Sequence, residues 1–328
     1  MHLALSPRPP IFTIPTEVRC AVRLLIAFFI LSIGFTTSAQ STRTHELTLI
    51  VDNDYPYMTD QYYTAGQDLF YRFMLHTPKD SSWFNNSMLS LHYGNKIFTP
   101  KNVDTDDPHE MDRPYCGWSF ISVELRKFTK PNVSNLFSLQ VGMVGSETGM
   151  GQLQQWLHQA INLYGIEGWN YQISNEAVVN VNFNHTRSLP LGKKTEVISS
   201  STAWAGTGNN RISQEITLRL FNFNPLNTSS FLNANIAGRS SGKKYELYVY
   251  ATVGADYIFS NIFLEGSLFK SNPSPRTTSI NPFLVSQKLG IQYAGQRFSF
   301  GLSAVHLGRE NKLVTPENYA SGNIAYRF

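Results

Sequence analysis

Ser119-Phe120-Ile121-Ser122-Val123-Glu124-Leu125-Arg126 places Ile121, Val123 and Leu125 on one face of an extended segment and Ser122, Glu124 and Arg126 on the other. Alternation with period two marks a β-strand with one apolar face. The pattern recurs at residues 46–51, 137–141, 246–258, 284–293, 298–305 and 319–328, within about thirteen candidate strands along the chain. Many of these segments run to about ten residues or more, long enough to cross a bilayer when tilted, whereas sandwich strands are typically about five or six. The fold expected is therefore all-β, a single transmembrane antiparallel barrel, with a soluble β-sandwich as the alternative. A single-chain bacterial barrel has an even number of strands, so one of the thirteen candidates is expected to be split or spurious.

Composition agrees with a barrel. Charged residues make up 15% of the chain and aromatics 13%, yet mean hydropathy is −0.21. Soluble domains carry roughly 25% charged residues, and a helical membrane protein would be more apolar overall. Lipid-facing apolar residues alternating with lumen-facing polar ones give this combination.

Residues 21–36 form an apolar run interrupted only by Arg23, preceded by Arg8 and Arg19 and followed by Thr37-Ser38-Ala39. That is the layout of a secretory signal peptide, with cleavage expected after Ala39 and a barrel domain over 40–328. Removing Arg8, Arg19, Arg23 and Glu17 leaves 24 Lys and Arg against 22 Asp and Glu. A nearly neutral chain gives no sign of a nucleic-acid partner. Cys20 falls in the leader, so Cys116 is expected to be a free thiol that stabilises nothing by cross-linking.

One segment departs from the strand pattern. Leu153, Trp156, Leu157, Ala160, Ile161 and Tyr164 recur at helical spacing within 151–164, which predicts one amphipathic helix flanked by Gly149, Gly151, Gly165 and Gly168. If residues 46–52 form an ascending first strand, then the 53–62 loop, the 99–114 loop and the helix fall together at the extracellular rim, opposite the chain ends.

The polar residues of that rim carry the candidate chemistry. Asn53-Asp54, with Thr64 at the start of the second strand, offers oxygen ligands suited to a hard cation such as Ca²⁺, although Asn and Asp equally make a plain turn. His158 is a candidate general base, since its ordinary pKa of about 6.5 lets neutral imidazole accept a proton from water; filling a polar gap between helix and rim is the alternative. Asp112-Arg113-Pro114-Tyr115 offers a guanidinium able to grip a phosphate, or a structural Asp–Arg pair. Trp118 and Trp169 fit a girdle or core role.

In order along the chain, Asn53-Asp54, Asp60-Gln61-Tyr62-Tyr63-Thr64-Ala65-Gly66, residues 112–118 with Asp112-Arg113-Pro114-Tyr115, residues 142–148, His158, Gly168-Trp169-Asn170-Tyr171-Gln172 and Asn175-Glu176 resemble the outer-membrane lipid A 3′-O-deacylase family. The resemblance continues more weakly through Ala205-Gly206-Thr207 to the carboxyl end. It implies a twelve-stranded barrel with its active site between wall and helix, at the outer leaflet. It further implies His158 as general base, with Asn53, Asp54 and Thr64 orienting it or completing a polar shell. Asn53 and Asp54, with Glu167, would hold a divalent cation such as Ca²⁺ that polarises the ester carbonyl. Arg113 would hold a phosphate of lipid A. The family pattern implies a further acidic residue between the histidine and the Gly-Trp pair, where this chain has only Glu167, immediately before Gly168, and Cys116 stands where a small residue such as Ala is usual.

The terminal Tyr326-Arg327-Phe328 resembles the signal read by the barrel assembly machinery, and a monomer among outer-membrane lipids is expected. Two other readings remain: an outer-membrane phospholipase, which usually employs a serine nucleophile although the mature chain has no Gly-x-Ser-x-Gly, and a non-catalytic pore or structural barrel.

Overall fold

A computed structural model describes residues 44–75, 86–236, 243–267 and 274–328; the expected leader, 1–39, lies outside these described residues. Each strand pairs antiparallel with its sequence neighbour, and the first closes on the last. The strands are β1 (His45–Asn53), β2 (Tyr62–Leu75), β3 (Ser87–Thr99), β4 (Cys116–Lys130), β5 (Val133–Val144) and β6 (Glu176–Gly192). They continue as β7 (Thr195–Gly206), β8 (Asn209–Asn222), β9 (Glu246–Asn261), β10 (Phe283–Ala294), β11 (Phe298–Leu307) and β12 (Glu317–Arg327). The twelve strands replace the thirteen candidates, because a closed up-and-down barrel needs an even count. Closure runs in register from Glu46 opposite Arg327 to Asn53 opposite Ala320. The chain ends tie it off, with Phe328 N–H donating to His45 O at 3.0 Å and the two rings stacked at 5.8 Å.

Alternation sorts the side chains. Leu47, Leu49 and Val51, then Ile121 and Val123, then Leu289 and Ile291, are exposed on the outer wall, where lipid covers them. Inward residues are polar and matched: Glu46 Oε1 and Oε2 receive Arg72 Nη1 at 3.1 Å and Arg327 Nη1 at 2.8 Å. Lys96 Nζ and His92 Nε2 lie 2.6 and 2.9 Å from the two oxygens of Asp68. In a water-poor interior such charges persist only when paired. Cys116 is a buried free thiol, as its lack of a partner predicts.

The connection from β8 to β9, at the end carrying the chain termini, is long where barrels usually have a short turn. It folds inward. Ala234 and Ile236 join the inward-facing Met74, Met88 and Phe128 in one buried apolar cluster. Glu246 accepts from Asn224 N and Ser229 Oγ, both at 2.7 Å, and from Ser230 N at 2.6 Å. Arg219 donates to Ser229 Oγ and Asn224 O while pairing with Glu196. The described residues 223–236 of this segment are thus held inward by hydrogen bonds to buried charges of the wall.

At the opposite rim lies helix α1 (Met150–Ala160). It is shorter than predicted, ending at Ala160, and most of its apolar stripe is turned outward. Met150, Gly151, Gln154 and His158 face inward, whereas Trp156 and Leu157 are 61% and 39% exposed. Met150 and Leu153 alone of its large apolar side chains pack on the buried cluster of Ile97, Tyr115 and Trp169, and the rest of the inward face is given to Gln154 and His158.

Candidate active site

The site forms where the β1–β2 loop meets α1. Asn53 ends β1, and Asp54 opens the one-turn 3₁₀ segment Tyr55–Tyr57. The loop then returns through Asp60 to Thr64 in β2. Gln154 and His158 stand four residues apart, hence on one face of α1, and that face is pressed against the loop.

Asp60 is the centre of the arrangement. Its Oδ1 accepts from Thr64 Oγ1 at 2.6 Å and from Gln154 Nε2 at 2.9 Å. Its Oδ2 lies 3.1 Å from His158 Nε2 and accepts from the Tyr164 hydroxyl at 3.1 Å. Its backbone carbonyl accepts from Thr99 Oγ1. A carboxylate with its lone pairs so occupied has one orientation.

His158 is 9% exposed. Its Nδ1 lies 3.0 Å from the Tyr164 carbonyl oxygen, which can only accept, so Nδ1 carries the proton. Asp60 Oδ2 likewise only accepts, so its contact with Nε2 holds a proton between the imidazole and the carboxylate. Tyr164 also meets the imidazole edge to face, with centroids 5.1 Å apart. Burial, then the Asp60 carboxylate, holds the Tyr164 phenol above its ordinary range, so it remains a donor.

Asp54 is 3% exposed, and its Oδ2 accepts from Gln61 N at 2.8 Å and contacts Thr64 Oγ1 at 3.3 Å. Burial pushes its pKa up to about 7, with the Asp60 charge adding to the rise and the Gln61 N–H opposing it. The Thr64 hydroxyl has one proton, and the shorter contact assigns it to Asp60. A protonated Asp54 can then donate to Thr64 Oγ1, which links the two carboxyl groups through one hydroxyl.

Three expected residues stand elsewhere. The Asn53 carboxamide serves the turn: Oδ1 accepts from Tyr55 N at 2.8 Å, and Nδ2 reaches Thr64 O at 3.4 Å. Glu167 is exposed, with its backbone N–H held by Val103 O. The Asn53 oxygen is thus taken by the turn, and no group of three or more His, Cys, Asp or Glu among the described residues is placed to hold a metal ion. No chemical step is assigned to a cation here. Arg113 is corrected most plainly, because its side chain is fully buried, its Nη1 lies 2.9 Å from Glu310 Oε2 and its guanidinium lies over the Phe98 ring at 4.6 Å. It ties the β3–β4 connection to the β11–β12 connection and presents nothing to a phosphate. Asp112 pairs with the Tyr62 hydroxyl at 2.9 Å instead of with Arg113.

Sequence reasoning left Asp60, Gln154 and Tyr164 without roles. Gln154 was findable, since a polar residue four before His158 must share its face. Trp169 backs the site, donating Nε1–H to Gln154 Oε1 at 3.1 Å. It lies so close to Gly151 that a Cβ there would meet the indole at 2.8 Å.

Comparison with known proteins adds the family. A family model described as outer membrane protein LpxR matches residues 24–328. Among solved structures, LpxR from Salmonella typhimurium superposes with a TM-score of 0.68 at 19% identity, covering 86% of this chain and all of that one. The β-domain of the Bordetella autotransporter BrkA follows with a TM-score of 0.47 at 8% identity, covering 88% of this chain and all of that one. No curated protein matches the chain by sequence.

Proposed function

The chain belongs to the LpxR family of outer membrane proteins, and from that premise we propose that it is a carboxylic ester hydrolase removing an ester-linked acyl or acyloxyacyl chain from lipid A. The observation that carries this reading is the pairing of His158 Nε2 with Asp60 Oδ2 at 3.1 Å, on a rim whose helix turns Trp156 and Leu157 outward. A base and its orienting carboxylate thereby sit beside a surface that acyl chains can occupy.

In the reaction, a water enters between Nε2 and Asp60 Oδ2, opening their contact, and attacks the ester carbonyl as the lone pair of neutral Nε2 takes its proton. The Tyr164 carbonyl keeps the ring in the tautomer this needs, and Asp60 lies where the imidazolium charge develops. Collapse of the tetrahedral intermediate breaks the ester C–O bond. The imidazolium then protonates the departing sugar alkoxide, so the products are a free fatty acid and a sugar hydroxyl. Thr64 and Gln154 hold Asp60 in place throughout.

The protein acts as a monomer in this proposal, and the barrel assembly machinery engages the β12 end at Phe328. The test is mass spectrometry of lipid A before and after incubation with refolded protein. Loss of one acyl or acyloxyacyl mass is expected, with His158→Ala slower by about 10²- to 10⁴-fold, the range that general-base catalysis provides. Cleavage of glycerophospholipids with lipid A untouched, or full turnover by folded His158→Ala protein, would overturn the proposal.

A further inference from the structure

Beside the candidate active site, on the other side of Trp169, lies a hollow of about 650 Å³. This is within the range of about 300–1,000 Å³ usual for small-ligand sites. Its polar lining comes from Ser146, Asn170, Gln172, Ser174 and Asn175, and none of the described residues lining it is charged. We infer that this hollow binds a neutral sugar ring of the substrate headgroup, an inference that rests on the esterase reading above.

The chemistry of the lining selects the ligand. A phosphate is held by guanidinium, ammonium or convergent backbone N–H groups, and the hollow offers no cationic side chain. An acyl chain needs continuous apolar walls, and here Trp169, Ile173 and Pro275 are interspersed with hydroxyl and carboxamide side chains, a mixture of apolar faces and hydrogen-bonding groups like that of a sugar ring itself. Carboxamides offer both donors and acceptors, and hydroxyls do the same, which matches the vicinal hydroxyls of a sugar, each itself a donor and an acceptor.

The lining is also held in shape. Asn175 Oδ1 accepts from Ser146 Oγ at 3.1 Å and from Glu147 N at 3.0 Å. Gly145, at φ +98°, leaves the room this requires, because a Cβ there would meet Asn175 Oδ1 at 2.4 Å. Ser174 is fixed through its N–H on Ser274 Oγ at 2.9 Å. Asn170 is exposed at the mouth, and its side chain has no hydrogen-bond partner among the described residues.

Position completes the case. Trp169 forms a wall of the hollow and bonds to Gln154, which bonds to Asp60. Two side chains therefore separate the bound ring from the carboxylate that faces His158.

The experiment is titration of refolded protein with the unphosphorylated N-acetylglucosamine disaccharide, which keeps neutral amides where the substrate has its N-acyl groups, by isothermal calorimetry, alongside lipid A kinetics, for wild type, Asn170→Leu and Ser174→Leu. Neither residue belongs to the catalytic cluster. The disaccharide is expected to bind wild type and to bind each variant about tenfold more weakly, with KM for lipid A raised about tenfold and kcat unchanged. Inorganic phosphate is expected not to compete. Wild type that binds no disaccharide, displacement of the sugar by phosphate, or variants with unaltered KM would overturn the inference. A wild type that binds the disaccharide but cleaves no lipid A would support the sugar site and remove the esterase reading, so the two failures are distinguishable.

Discussion

His158 Nε2 and Asp60 Oδ2 face each other across 3.1 Å, brought together from the fifth and the first connections of the barrel. The ring is held from its far side by a carbonyl and the carboxylate by Thr64, Gln154 and Tyr164. Asp60→Asn keeps the shape but replaces one oxygen with a donor amide and removes the charge opposite the imidazolium. Lipid A hydrolysis by this variant is expected to fall by about 10²-fold or more, with the folded barrel retained on unheated gels. Asn53→Ala, which loses only a turn contact, should fall less than tenfold. Equal losses in the two variants would contradict this assignment.

Asp54 sets a pH dependence. Its carboxyl ionises near pH 3.8 when free and at about 7 in the folded site, because burial disfavours the charge. A carboxyl whose folded pKa is raised favours the folded site most at low pH. That contribution is lost as pH rises from about 4 to about 7, with no further change above. Protection of the 54–64 amides in refolded protein, the intrinsic base-catalysed exchange rate at each pH divided by the observed rate, should therefore fall across that window. Asp54→Asn, neutral throughout, should abolish the slope, and an unchanged slope in the variant would refute the assignment.

Glu167 is exposed, and only its backbone N–H, donating to Val103 O, ties it to the rim. Glu167→Gln is expected to leave hydrolysis, and any response of hydrolysis to added calcium or to chelator, within about twofold of wild type. A calcium response that disappears in this variant alone would restore the ligand set expected from sequence.

Arg113 is a structural residue. Removing one partner of a buried ion pair costs about 3–5 kcal/mol because the other charge is left stranded. Arg113→Ala should accordingly lower the denaturant midpoint of the purified barrel and loosen the rim, while Glu310→Gln with Arg113→Met recovers part of the loss. Normal stability in Arg113→Ala, with a raised KM for phosphorylated lipid A only, would return Arg113 to the role of phosphate ligand.

The strands were legible because a wall between lipid and a polar lumen imposes alternation on every segment, as in 119–126 within β4. Helix α1 was legible in its spacing but not in its orientation. An apolar stripe shows that a helix has two unlike faces, and only the surroundings decide which face turns inward. For the site, His158 and Thr64 stood out by residue type, and both belong to the cluster. Asp60 did not, because an acidic residue in a polar loop looks the same whether it is solvated or receives four hydrogen-bonding side chains. Arg113 misled for a related reason: its partner Glu310 lies in the last connection of the barrel, a contact that no local pattern encodes.

The inward-folded part of the β8–β9 connection has a consequence for how the barrel is assembled. Ser230 N–H donates to Glu246, Arg219 donates to Ser229 Oγ and Asn224 O, and Arg327 donates to Asn235 Oδ1. Each of these charged residues belongs to a strand, so the ions that neutralise one another across the wall also have hydrogen-bonding capacity left for the connection. One network thus sets both the wall and the segment laid against it, and a substitution at any of the three charges reaches both.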